Sequence, residues 1–307
     1  MRKDKRRKRG RNSWRWLSIY LQLPIVVFCL VFPVYAPEAS DNASEPARET
    51  KQKSDTVAAR KQTLSTLLVA AGKLRRANDT RKTIETLNEA GHVQLDLFLK
   101  KDALSTFQQS HDLLGQSTDP VTKVDTLNGL ALAHIALNEY EEAEPLLNDA
   151  RTISEQNNYP AGKAEALLLL SEYQNNSKTI TEALNSAGEA LRLWQSMGNK
   201  LGVVRSHIDI GNYYVAQSSL VEAAQEFQSA LELATEMEDL NRQSEALMNL
   251  GYVEFRKGAY QELFSFMGRA EKLIDSEAEP YLMGQITAGY AAGFVETGLP
   301  EVGLQKY

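Results

Sequence analysis

The sequence is poor in the residues that build redox or metal centres. Its 307 residues include one cysteine and four histidines. The single Cys29 excludes an intramolecular disulfide and a multi-cysteine metal site. The histidines lie far apart, with no second histidine four positions along, so zinc ligation is not expected. Gly198–Gly202 has the wrong spacing for a phosphate-binding loop. The sequence therefore predicts no enzyme activity, no cofactor and no metal.

Basic charge is scarce over most of the chain. The first 36 residues carry nine basic residues and one acidic residue, whereas the whole chain has a formal net charge of -6. The remainder therefore carries -14. A protein that binds DNA or RNA through its phosphates needs a basic face. The acidic body predicts that nucleic acid is not a partner.

The N-terminal region has the pattern of a membrane-targeting segment. Residues 1–15 form a basic flank, and residues 16–36 contain no charged residue. This uncharged run reaches the roughly 20 residues that span a bilayer core, and the basic flank should stay cytoplasmic. The segment is either an uncleaved signal anchor or a signal peptide. Small residues before Pro37 favour cleavage, whereas the proline itself disfavours it. Residues 37–55 are polar and predict a disordered linker.

Residues 56–307 show helical periodicity arranged in a constant repeat. A first helix at 56–77 is expected to cap the array. About six units of 40 residues follow, the last of them truncated. Small residues at two positions of each unit should let paired helices approach closely, and a bulky residue between them should fill the space between hairpins. The first small column is Gly91, Ala131, Ser171, Gly211, Gly251 and Ala291.

The best-preserved units resemble the tetratricopeptide repeat family. One contains Ile210-Gly211, Tyr214, Ala223, Phe227 and Ala230, and the next contains Leu250-Gly251, Gly258, Tyr260 and Ala270. The usual period of that family is 34 residues, so this chain resembles a longer variant found in bacterial signalling and scaffold proteins. The resemblance implies an all-α, right-handed α-solenoid of antiparallel helix hairpins. It would follow the N-terminal transmembrane or signal helix.

In such a solenoid the first helix of each hairpin lines the inner, concave surface. Amide side chains recur there, and an amide can pair with both the donor and the acceptor of a peptide backbone. The alternative is that some of these amides bond neighbouring helices. The residues expected to line this partner-binding groove are Asn88, His92, Asn128, Leu132, Glu172, Arg205, Asn212, Asn249, Tyr252 and Arg256.

Two functions remain open at this level. The first is an exported or membrane-anchored scaffold that binds a protein or peptide in its groove. Its repeats would lie in the bacterial periplasm or exterior, and it would be secreted if the N-terminal segment is cleaved. The second is the sensory or regulatory segment of a larger signalling enzyme. Because residues 303–307 fall midway through an expected second helix, a caspase-like protease or histidine kinase domain would then follow.

Overall fold

The computed structural model describes residues 57–116, 119–177, 179–276 and 279–299. These residues form α-helices and one short 3-10 turn, Leu114–Gln116, and they contain no β-strand. The helices are α1 Val57–Arg76, α2 Thr80–Asp96, α3 Lys100–Leu113, α4 Pro120–Ala136, α5 Tyr140–Gln156, α6 Pro160–Asn176, α7 Ile180–Ser196, α8 Lys200–Ala216, α9 Leu220–Glu236, α10 Leu240–Lys257, α11 Tyr260–Glu271 and α12 Pro280–Glu296.

The helices pair into hairpins that stack in chain order. The pairs α2/α3, α4/α5, α6/α7, α8/α9 and α10/α11 make the most extensive contacts, and each second helix also contacts the first helix that follows it. First helices begin at residues 80, 120, 160, 200, 240 and 280, and second helices begin at 100, 140, 180, 220 and 260. The predicted all-α array of helix hairpins is therefore confirmed.

The turns within hairpins and the turns between hairpins share one backbone feature. A residue with positive φ recurs at intervals of 20 positions, which lets the chain leave one helix and enter the next within a few residues. Side chains that accept a hydrogen bond from the third backbone N–H of the following helix reinforce several of these starts, as Asp79, Asp119, Asn199 and Asp239 do. The described positive-φ residues are Asn78, Phe98, Asn138, Asn158, Gly198, Ser218, Glu238, Gly258 and Gly298.

Small residues of the first helices admit a large side chain from the second helix. A Cβ atom added to Gly91 would lie 2.6 Å from the Phe107 ring, and one added to Gly129 of the next hairpin would lie 2.3 Å from it. Phe107 therefore fills the space between two successive first helices, as the sequence predicts. The other bulky residues of this column, Leu147, Phe227 and Met267, are also buried. The exception in the small column is Ala291, which is exposed on α12.

The beginning of the array lies against its last described helix. Arg60 of α1 forms an ion pair with Glu279, the residue before α12. The Phe98 ring, in the turn after α2, packs on Tyr281 with ring centroids 4.5 Å apart. The helix α1 also packs along α2, so it covers the first hairpin, in the place where the sequence predicts a capping helix.

The predicted N-terminal segments, 1–15, 16–36 and 37–55, lie outside the described residues, as do residues 303–307. Among the helices that the structure describes, none has both the length and the apolar character that crossing a bilayer requires.

Candidate functional site

The first helices α2, α4, α6, α8, α10 and α12 share one surface of the array, which we call the first-helix face. Contacts between successive first helices are more extensive than those between successive second helices. Closer packing among first helices than among second helices is the pattern expected of a solenoid whose first helices line its inner side. A partner lying on this face would meet several repeats at once.

The first-helix face contains a cavity of about 140 Å³ between α4, α6, α8 and α10. Its wall combines aliphatic side chains with charged ones, and we call it the charged pocket. The aliphatic part consists of Leu132, Leu168, Leu169 and Ile208, and the charged part consists of Glu172, Arg205, Asp209, Arg242 and Glu245.

Both arginines of the charged pocket already have carboxylate partners. The Arg205 guanidinium donates two hydrogen bonds of 2.8 Å to the two oxygens of Glu165 on the neighbouring helix α6. Arg242 donates one of 2.6 Å to Glu245, one turn further along α10. Burial lowers the pKa of Arg205, but Glu165 more than offsets this and the pKa is raised overall. These two ion pairs position the two guanidinium groups of the pocket and offset their positive charge.

The other two acids of the charged pocket, Glu172 and Asp209, have no such partner. Within the described residues, neither carboxylate accepts a hydrogen bond or lies within ion-pair distance of a cation. Burial raises the pKa of Glu172 to about 7, with Arg205 acting in the opposite direction. Burial also raises the pKa of Asp209 to about 8, and the nearby Glu172 raises it further. Perturbed and unpaired acids in a cavity are typical of binding or catalytic sites.

Three of the predicted groove residues line the charged pocket: Leu132, Glu172 and Arg205. A fourth, His92 on α2, lies close enough to Glu165 and Arg205 to interact electrostatically with both. Desolvation by surrounding groups lowers its pKa although the residue as a whole is exposed, and its ring meets Phe107 edge-on at 5.2 Å. Predicted groove residues from α2, α4, α6 and α8 therefore lie close together on the first-helix face.

The predicted amides at the start of the array lie between helices. Asn88 donates a hydrogen bond of 2.9 Å to the Thr126 hydroxyl of α4, and Asn128 donates one of 3.0 Å to the Gly162 carbonyl of α6. Both residues are buried. The side-chain oxygen of each is buried without a hydrogen-bond partner among the described residues. Their amide groups therefore connect successive first helices.

The remaining predicted residues lie further along the first-helix face. Asn212 is half-buried on α8, and Asn249 is buried on α10. The Tyr252 hydroxyl is buried and finds no hydrogen-bond partner within the described chain. The Arg256 guanidinium lies 5.9 Å from the Tyr252 ring centroid and donates a hydrogen bond of 3.3 Å to Ser218. None of these four lines the charged pocket as the structure describes it.

Sequence reasoning missed Asp209, Arg242 and Glu245. One signal could have found part of this set, because Glu165, Arg205 and Glu245 occupy the same position of successive units. Of these three residues, only Arg205 is among the predicted groove residues. The described residues contain no group of three or more His, Cys, Asp or Glu side chains arranged to hold a metal ion. The charged pocket combines two paired guanidinium groups and two carboxylates without partners with an aliphatic wall.

No protein-family model and no curated protein sequence matches the chain. Solved structures do match. Aspartyl phosphate phosphatase F from Bacillus subtilis superimposes with a TM-score of 0.61 at 15% identity, over 79% of this chain and 63% of that one. NprR in complex with its cognate peptide NprX gives 0.53 at 16%, over 80% and 75%.

A third match extends the comparison to a multidomain protein. A Signal Transduction ATPase with Numerous Domains protein with a tetratricopeptide repeat sensor, from Pyrococcus horikoshii, gives a TM-score of 0.54 at 16% identity. The match covers 77% of this chain and 38% of that one. At such identities the likeness is one of fold. The described chain has a tetratricopeptide-like helical repeat fold.

Proposed function

We propose that this chain is a scaffold that binds a protein or peptide partner on its first-helix face. The proposal is based on the charged pocket, which lies between four first helices and contains two acids without partners. Both acids are half-buried, and ionising an unpaired acid that is partly removed from water costs free energy unless a ligand compensates it. One matching structure, NprR, was solved with its cognate peptide, which supports a peptide as the ligand of this repeat surface as well.

The finer parts of the proposal rest on the sequence. Residues 16–36 would anchor the scaffold in a membrane or direct its export, and residues 37–55 would tether the repeats outside the cytoplasm. The longer repeat would place the chain with bacterial signalling and scaffold proteins that resemble tetratricopeptide repeats. N-terminal sequencing of the protein purified from its native host tests the anchor. A start at residue 37 would show that the segment is removed.

A second candidate is a sensory segment of a larger signalling enzyme. It is favoured by the match to a protein in which a tetratricopeptide repeat sensor belongs to a much longer chain. The gene sequence beyond the codon for Tyr307 distinguishes the two candidates. An adjoining protease or kinase domain would favour the sensor, and an immediate stop codon would exclude it.

The scaffold proposal is tested by selecting binders from a random peptide library displayed on phage, with the full chain immobilised in detergent. Recovered peptides are then labelled and measured by fluorescence anisotropy. We expect Asn212→Ala combined with Tyr252→Ala to weaken binding by about tenfold or more, equivalent to about 1.4 kcal/mol. The control is Asn185→Ala, an exposed amide on the second helix α7. Equal binding by all three proteins would exclude Asn212 and Tyr252 from the binding surface, and a selection without binders would refute the scaffold.

A further inference from the structure

The charge balance of the charged pocket is incomplete. Arg205 is matched by Glu165, and Arg242 is matched by Glu245. Glu172 and Asp209 are left over, and the Glu172 carboxylate lies close enough to raise the pKa of Asp209. One added cation placed between them would meet two carboxylates whose oxygens accept no hydrogen bond from the described residues.

Two other ligand classes fit this geometry poorly. An anion would meet guanidinium groups whose charge is already offset by carboxylates at 2.6–2.8 Å, and it would be repelled by Glu172 and Asp209. A divalent metal ion prefers six or more oxygen ligands, and the described residues offer no set of even three suitable side chains. An organic cation with an aliphatic stem remains. Its stem would meet the leucine and isoleucine side chains of the wall.

We infer that the charged pocket binds the alkylammonium group of a partner peptide, seated between Glu172 and Asp209 with its stem against Leu132, Leu168 and Ile208. This inference rests on the proposed scaffold function and names the chemistry of its partner. The alkylammonium group comes from a lysine side chain or from the peptide's N-terminus. Both present three N–H donors, enough for both carboxylates.

The protonation behaviour of the pocket supports this assignment. An ammonium group favours the ionised carboxylates, so binding must displace any proton held there. The titratable and charged groups that interact with the acids are Tyr140 on α5, Arg205 and Tyr213 on α8, and Arg242 and Glu245 on α10. The α4 side is aliphatic through Leu132. Because both acids have raised pKa values, affinity for an ammonium ion should rise between about pH 6 and pH 8.5.

The first experiment uses n-butylammonium chloride as the probe and the full chain as the receptor. We expect a saturable rise in melting temperature with n-butylammonium, since a ligand that binds only the folded state stabilises it. Sodium chloride and 1-butanol at the same concentrations should have no such effect. The rise should disappear in Glu172→Gln/Asp209→Asn and persist in Glu182→Gln/Asp149→Asn, which alters exposed acids of α7 and α5.

Equal rises in both double variants, or no rise in the wild-type protein, would overturn the inference. The wild-type protein provides a second readout that requires no variant to fold. Calorimetric titration with n-butylammonium near pH 7, in two buffers of different ionisation enthalpy, should show proton release on binding. Binding without proton release would equally contradict the assignment.

The second experiment uses the peptides recovered in the phage selection. Each is remade with lysine replaced by norleucine, and separately with an acetylated N-terminus, so that the two sources of ammonium are distinguished. We expect one replacement to weaken binding to the wild-type chain by about tenfold and to have no effect with Glu172→Gln/Asp209→Asn. Peptides that bind but tolerate both replacements would overturn this inference and leave the scaffold proposal standing. A selection without binders would remove the scaffold proposal, while n-butylammonium would still decide the chemistry of the pocket.

Discussion

The two unpaired acids of the charged pocket predict an unusual dependence of stability on pH. Burial and the neighbouring Glu172 raise the pKa of Asp209 from its ordinary value of 3.8 to about 8. Between these two values the folded chain holds a proton that the unfolded chain has lost. Folding stability must therefore fall as pH rises from about 4 to about 8 on account of this group, and level off above. Asp209→Asn removes this penalty while preserving the size of the side chain.

The size of the effect follows from the same values. The free energy associated with a tenfold change in proton affinity is about 1.4 kcal/mol, so a change in pKa from 3.8 to about 8 sets an upper limit of roughly 6 kcal/mol. Asp209 retains some contact with solvent, which screens part of this cost. We therefore expect Asp209→Asn to exceed the wild-type stability by only about 0.5 kcal/mol near pH 5 and by about 2 kcal/mol near pH 8.5.

Urea unfolding followed by far-ultraviolet circular dichroism measures this difference at both pH values. The control is Asp149→Asn, because Asp149 is exposed on α5, far from the first-helix face. This substitution should change stability little at either pH. The reasoning would be refuted if the gain in Asp209→Asn were the same near pH 5 as near pH 8.5, or if the variant were the less stable protein at the higher pH.

Four further substitutions test the packing and the backbone of the array. Gly211→Ala places a Cβ atom 2.5 Å from the Phe227 ring and should cost about 1–3 kcal/mol in urea unfolding. Gly188→Ala adds a methyl group in an open position of α7 and should gain about 0.5–1 kcal/mol. Glu238 is a non-glycine residue at φ 56°. Glu238→Gly removes the backbone strain of this conformation and should raise the free energy of unfolding by about 0.5 kcal/mol. Asn128→Leu removes a buried oxygen without a partner among the described residues and should gain about 1 kcal/mol by the same measurement.

Each of these has an outcome that would contradict it. Equal effects of alanine at Gly211 and Gly188 would mean that the close approach of Gly211 to Phe227 does not exist. Gly258→Ala is the reverse control for Glu238→Gly, because Gly258 adopts φ 78° and should lose stability on gaining a Cβ. A loss of more than about 1 kcal/mol in Asn128→Leu would show that the amide contributes more than one hydrogen bond to the fold.

The helices and their packing could be predicted from sequence because local signals and long-range spacing agree. Small residues forty positions apart mark where helices approach, as Gly91 and Ala131 show by their burial. The same interval recurs at the helix starts, where Asp79, Asp119, Asn199 and Asp239 each cap a helix. Helix capping and close packing act over short distances, so a single sequence carries them directly.

The charged pocket was only partly predictable because its chemistry depends on which side chains pair across helices. Arg205 pairs with Glu165 on the previous first helix, whereas Arg242 pairs with Glu245 on its own helix. Repeat spacing places these residues on a common surface but does not select between the two kinds of partner. The acids without partners, Glu172 and Asp209, emerge only after the pairs have been assigned. The sequence likewise left open whether Asn88 and Asn128 line the groove or bond neighbouring helices, and the structure places them between helices.

The position of the unpaired acids within the repeat explains how a stable array can retain them. The stripe of each first helix that faces its own hairpin is restricted to small residues, since any larger side chain would meet a residue such as Phe227. The stripe facing the inner side has no such restriction, and aliphatic residues there, as at Leu132 and Leu168, would stabilise the fold more than acids. Acids at Glu172 and Asp209 therefore destabilise the unliganded chain and leave the packing of the hairpins intact. That cost is recovered when a cation binds, so the same two residues that lower stability at high pH should raise affinity there.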